Sequence, residues 1–233
     1  MRVLAIDSSG LVASIAVVED DNMIAEYTIN YKKTHSETLI PMLDEVKNMI
    51  KLDLDSIDAI AVAMGPGSFT GLRIGSATAK GLGLALDKPI IPVPTVDALS
   101  MNVCGSSRLV CPIMDARREQ VYTGLYRFED NELIVVKEQC AISVEELCSI
   151  LENMGEEVIF LGDGVPVYKD MINDKLKIKH LYAPAHMSRQ RAGALGVLAI
   201  KHFNEGRSES AALHKPEYLR LSQAERERLE AGS

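Results

Sequence analysis

Cysteine is scarce in this sequence and poorly placed for chemistry. The four present, Cys104, Cys111, Cys140 and Cys148, form no CxxC and stand near no histidine pair. They read as reduced, mostly buried thiols of a cytoplasmic protein, not as a zinc site. Long apolar runs are missing too. None reaches the roughly 18 residues that a membrane span requires, so no membrane association is expected. The opening MRVLAIDSSG is too short in its apolar part for a secretion signal, and it lacks a small-residue cleavage site. Positive charge is in deficit: 25 Lys and Arg against 33 Asp and Glu leave a formal net charge of −8. That balance counts against unaided binding to a phosphate backbone.

Signatures of the common chemistries are absent as well. There is no GxxxxGK[ST] phosphate loop, and Ser8, Ser9 and Ser68 lie in no GxSxG elbow. The histidines at 35, 180, 186, 202 and 214 are scattered, and the position four residues after His35 is Leu39. A helical metal pair needs a second imidazole there, so no metal is expected. No catalytic constellation and no cofactor site emerge. What remains is an ordinary globular composition, 47% hydrophobic and 25% charged over 233 residues, enough for one large domain or two small lobes.

The order of elements can be read from period and punctuation. Val3 to Ile6, Ala13 to Val18 and Met23 to Ile29 make a meander of three strands. Leu39, Met42, Leu43, Val46 and Ile50 fall at helical spacing in a segment from Thr34, with Pro41 predicting a kink or a late start. A buried-type strand at Ala59–Met64 leads into MGPGSFTGLRIGSATAKGLGLAL, a glycine loop followed by a helix from Ser68 to Leu86. KPIIPVPTVDALS supplies another strand and a helix start. The second half then repeats the first. Asp115 aligns under Asp7, Tyr122 under Ser14, and the acidic turn EDNE under EDDN, although strand–turn–strand patterns also resemble each other by chance. A helix with Ser143 as N-cap and Glu146 completing a capping box follows, then the strand and glycine loop EVIFLGDGV. An amphipathic helix is expected over Ser188–Phe203, and ERERLE reads as a solvated helical end.

Three stretches invite a function. Gly65, Gly67 and Gly71 give GxGxxxG, which departs from the dinucleotide fingerprint, so the loop is a weak phosphate signal. Asp7, Ser8, Ser9 and Gly10 form a better one: small residues after a strand leave room for a phosphate, and the carboxylate could hold a hydrated cation. The second copy, DARRE, puts Ala116, Arg117, Arg118 and Glu119 where small residues are needed. The third stretch is the helix itself. Only Arg73 and Lys80 are charged from Phe69 to Leu86, which predicts burial on two sides. Gly71, Gly75, Ala79 and Gly83 make a strip of small residues at intervals of four. Interior glycines cost roughly 0.5–1 kcal/mol each, which close packing would offset. The strip is expected to meet either the domain's own neighbouring helix or a helix of another subunit.

LAIDSSG, HSETLIP, GPGSFTGLRIG, MDARREQVYTGLY and KPEYLR together resemble the TsaB family, also called YeaZ, from the first strand to about Arg220. The resemblance implies an α/β fold of two duplicated lobes of the actin/Hsp70/sugar-kinase type, each a mixed sheet with flanking helices. It implies an N-terminal lobe of residues 1–98 plus C-terminal helices at about 192–226, and a C-terminal lobe of 99–191. It further implies a non-catalytic subunit that supports a TsaD-like catalytic paralogue, which transfers a threonylcarbamoyl group to N6 of adenosine 37 in ANN-decoding tRNAs. That paralogue carries an HxxxH helix. Here His35 stands where such a pair would begin and Leu39 where it would end. A TsaE-like ATPase, a homodimer in isolation, and tRNA reached only through the complex are the other implied partners. The implied interface comprises His35, Leu39, Met42, Val46, Phe69, Gly71, Leu72, Gly75, Thr78, Ala79, Leu82 and Gly83. The competing interpretation is an ATP-using phosphotransferase of the sugar-kinase kind, favoured by the intact DSSG.

Overall fold

The expected meander opens the first of two five-stranded sheets. The computed structural model describes residues 1–31 and 34–220. Strands β1 (Arg2–Asp7), β2 (Ala13–Glu19) and β3 (Asn22–Ile29) pair antiparallel, while β4 (Ala59–Gly65) and β5 (Ile90–Pro94) add in parallel on the other edge of β1. The second sheet holds β6 (Leu109–Asp115), β7 (Gln120–Glu129), β8 (Glu132–Ser143), β9 (Val158–Leu161) and β10 (His180–Tyr182). Its order is β10-β9-β6-β7-β8 and that of the first is β3-β2-β1-β4-β5, the same plan used twice. The inferred repeat is therefore one of topology. Its alignment slips by one place: Asp7 lies opposite Ser14, but Asp115 lies opposite Val121, and Tyr122 pairs with Met114. The second turn is one residue shorter than the first.

Strand β1 reads as a continuous apolar run because helices cover both of its faces. Leu4 and Ile6 face one core, shared with Leu39, Met42 and Val46 of α1 (His35–Ile50). Val3 and Ala5 face another, shared with Ala192, Leu195 and Ala199 of α6 (Ala192–Asn204). Helix α1 starts directly after Thr34 and runs unbroken through Pro41. Helix α6 starts four residues later than expected, because Ser188 to Arg191 cross between the lobes. Its first amides are taken by side chains of the first sheet: Ala192 N–H donates to Ser14 Oγ at 2.9 Å and Gly193 N–H to Glu26 Oε1 at 2.9 Å. In the second lobe, α4 (Val144–Met154) begins as predicted, with Ser143 Oγ accepting from Glu146 N–H at 3.0 Å. Helix α5 (Val165–Lys175) follows the loop after β9.

Helices α2 (Phe69–Leu86) and α3 (Thr95–Ser100) complete the set. Between the lobes α3 packs with Tyr126 and Leu161 in a small joint core. There the buried Tyr126 hydroxyl donates to Asp97 Oδ1 at 2.7 Å, and burial pushes the Asp97 carboxyl up to about 6. The expected solvated end ERERLE lies outside the described residues.

Candidate cleft and helix face

The two aspartate turns face one another across a cavity of about 950 Å³. The first turn is filled by its own chain. Asp7 is 1% exposed, and its Oδ1 accepts from Ser9 N–H at 2.9 Å and Ser9 Oγ at 2.6 Å. Removal from water raises the Asp7 carboxyl above the ordinary range, against the lowering effect of those two hydrogen bonds. Ser8 Oγ donates to Gly71 O at 2.9 Å, and Ser9 O accepts from Ser68 N–H at 2.7 Å. The amide of Gln190, itself 1% exposed, lies flat on Gly10: a Cβ placed there would stand 2.8 Å from its Nε2. The small residues that suggested room for a phosphate are thus largely spent on close approach of protein to protein, with Ser9 and Gly10 remaining on the cavity wall.

The second turn is built the other way. Arg117, Arg118 and Glu119 all take left-handed backbone, at φ 66°, 55° and 57°. Three such non-glycine residues in a row are uncommon and cost backbone energy. Asp115 holds the turn, with Oδ1 accepting from Arg117 N–H at 2.8 Å and from the Tyr168 hydroxyl at 2.7 Å. Burial, followed by that bond, pushes the Tyr168 hydroxyl up to about 12. Asp163, raised by burial, accepts from Asp115 N–H at 3.1 Å. The Arg117 side chain is 84% exposed and pairs with Asp115 at 3.1 Å. Among the described residues, no three His, Cys, Asp or Glu gather where a metal ion could sit. His35 does reach the cleft, its Nε2 bonded to Gly10 O at 2.9 Å. Leu39 points the other way, into the core, at 1% exposed.

The small-residue strip requires a correction. Gly71, Gly75, Ala79 and Gly83 are buried, and what they meet is neither a foreign helix nor chiefly α1. A Cβ at Gly71 would strike Ser8 O, one at Gly75 the Ser8 hydroxyl, and one at Gly83 the Ala211 methyl at 2.7 Å. Helix α2 is pressed onto the turn that follows its own sheet's first strand. Leu39, Met42, Val46 and Leu72 are likewise packed inside the lobe. The second side on which α2 was expected to be covered is taken by the chain's C-terminal segment. Its only two charged residues both grip that segment: Lys80 Nζ donates to Ala212 O and His214 O at 3.0 Å, and Arg73 Nε to the Tyr218 hydroxyl at 3.3 Å. Of the expected interface, His35, Phe69, Thr78 and Leu82 are partly exposed. The outward face of α2 carries other residues, Leu84 at 62% exposed with Arg73, Ala77 and Gly81, and a Cβ at Gly81 meets nothing within 4 Å. The i, i+4 phase of Arg73, Ala77 and Gly81, two residues off the glycine strip, was the signal available in the sequence.

A family model described as TsaD: tRNA N6-adenosine threonylcarbamoyltransferase matches residues 22–228. The tRNA threonylcarbamoyladenosine biosynthesis protein TsaB of Bacillus subtilis is 36% identical, with 99% of each chain covered. Among solved structures, YeaZ from Pseudomonas aeruginosa superposes with a TM-score of 0.80 at 24% identity, covering 94% of this chain and 99% of that one. Inorganic polyphosphate/ATP-glucomannokinase from Arthrobacter does so at 0.52 and 11%, covering 88% and 99%. These two likenesses establish the fold as the duplicated two-lobe type of the sugar kinases. With the family model spanning most of the sequence and a relative of that identity matched end to end, the chain belongs to the TsaB family of tRNA threonylcarbamoyladenosine biosynthesis proteins.

Proposed function

We propose that this chain is a non-catalytic subunit that binds and supports a TsaD-like paralogue in the transfer of a threonylcarbamoyl group to N6 of adenosine 37 in ANN-decoding tRNAs. The observation that carries this reading is the outward face of α2. Leu84 stands exposed on it beside Ala77 and the bare backbone of Gly81, where another helix can approach closely. The filled first turn supports the non-catalytic half of the reading, as does Leu39 in the core where a second imidazole would be needed. The same face would pair two copies of the chain in isolation. A TsaE-like ATPase joins the complex, and tRNA reaches this subunit only through it, consistent with the net charge of −8. Lys179, in the basic stretch KIKH, is, moreover, already paired with Glu157.

Gly81→Arg tests the face. An arginine there has open space, so the chain should fold with a melting temperature no lower than the wild type's, and somewhat higher by the helix cost of the glycine. It should lose binding to its TsaD-like paralogue by about tenfold or more in calorimetry, as a charge forced into an apolar contact does. Unchanged binding would overturn the assignment. The kinase reading rests on the fold and on Asp7, and magnesium-dependent ATP turnover by the purified chain alone would restore it.

A further inference from the structure

Residues 205–220, which follow α6, form no helix, yet they are held at many points. Glu209 exchanges two backbone hydrogen bonds with Ile90, at 2.8 and 2.9 Å. Ala211 sits on Gly83, and Lys80 takes the carbonyls of Ala212 and His214. Pro216 is followed by Glu217, whose N–H donates to Met64 O at 2.7 Å. Its carbonyl crowds Gly65 so closely that a Cβ there would collide with it. The Tyr218 ring then stacks on Phe69, with centroids 4.2 Å apart, while the Arg73 guanidinium lies 4.1 Å from the Phe69 centroid. Arg220 finally crosses the cleft and donates to Ala116 O, at the head of the left-handed turn of the second lobe. The segment therefore runs the length of α2, lines the cavity with Glu217 to Arg220, and ends on the opposite lobe.

We propose that Lys215–Arg220 is a clasp between the lobes: Arg220 sets the opening of the cleft, and Tyr218 ties that clasp to Arg73 on the outward face of α2. Each lobe has its own sheet and core, and the small joint core around α3 is the hinge about which a contact at the cleft mouth would act. Arg73 has no carboxylate partner among the described residues, and its guanidinium is shared between Phe69 and Tyr218. A carboxylate presented by a partner on the α2 face would draw Arg73 away from Tyr218 and loosen the clasp. By reciprocity, a change at the cleft would alter affinity for that partner. This second half rests on the partner-binding face proposed above, whereas the clasp itself does not.

Hydrogen exchange on the full chain tests both halves. Arg220→Ala should speed exchange of amides 116–121 by about tenfold, the worth of one hydrogen bond from a charged group. Within 88–92, where Pro89 and Pro92 carry no N–H, the amides of Lys88, Ile90 and Ile91, beside the Glu209 bridge, should keep their rate. Arg220→Lys, which can still donate to a carbonyl, should recover part of the protection, and Tyr218→Ala should act like Arg220→Ala. Unchanged exchange at 116–121 in both alanine variants would overturn the clasp, and so would equal acceleration at 88–92, which would mean general loosening. For the coupling, the wild-type chain is compared with and without the TsaD-like paralogue. Exchange at 116–121 should change when the complex forms. A complex that forms with no change there overturns the coupling and leaves the partner assignment standing, whereas no complex at all removes the partner assignment.

Discussion

The turns after β1 and β6 occupy equivalent places in two lobes of one plan, yet they have become opposite objects. The first, Asp7–Gly10, is small, uncharged apart from its aspartate, and buried under Ser68, Gly71 and Gln190. The second, Asp115–Glu119, is charged, strained in backbone and open to the cavity. In a duplicated nucleotide cleft both would face a phosphate. Here one is largely absorbed into the packing of α2, with Ser9 and Gly10 still on the cavity wall, and the other presents Asp115 and Arg117 to whatever enters. The difference shows that small residues in a turn are compatible with two outcomes, a ligand or another segment of backbone. Composition alone does not choose between them.

The sharpest way to break this comparison is to put a side chain where α2 meets the first turn. Gly75→Val would drive a branched group into Ser8. It is expected to cost about 3 kcal/mol or more, or to prevent soluble folding, as overpacking at backbone contact does. Thermal unfolding checks it, and a normally stable Gly75→Val would mean that the strip is open. Next in size is Ser9→Ala, which strips one donor from the buried Asp7. Urea unfolding should show a loss of about 1–3 kcal/mol. Asp115→Asn, in the exposed turn where the Arg117 ion pair is worth less than about 1 kcal/mol, should cost less. Equal losses would erase the contrast.

The subtlest test is a slope. Asp7 binds its proton more tightly in the folded state than in the unfolded one, because burial raises its carboxyl. Stability from this group is therefore complete below the ordinary carboxylate range and is lost as pH rises through the raised value. Asp7→Asn keeps an acceptor for Ser9 and removes the titration. Its stability should decline less than that of the wild type between acidic and neutral pH. Parallel pH profiles would mean that Asp7 is not desolvated.

Much of the architecture was legible because it follows from local pattern. Short apolar runs, and one alternating run, bounded by turns marked the strands, Ser143 marked the start of α4, and the doubled strand–turn–strand order announced two like lobes. The slips have physical causes. Tyr122 was set one place off because deleting a single turn residue shifts cross-strand register without altering the hydrophobic alternation. The late start of α6 was hidden because crossing residues such as Gln190 are buried like helix residues.

Helix α2 marks the boundary between the two kinds of knowledge. Its near-absence of charge required that it be covered on more than one side, and no rearrangement of the fold could have made it a solvated helix. What would cover it was beyond any local pattern, because the hydrophobic effect is non-directional: an apolar or bare surface gains as much against its own chain as against another. Tertiary contacts made that choice. They placed Ser8 and Ala211 against the glycines and laid Tyr218 over Phe69. Arg73, Ala77, Gly81 and Leu84 were left facing outward.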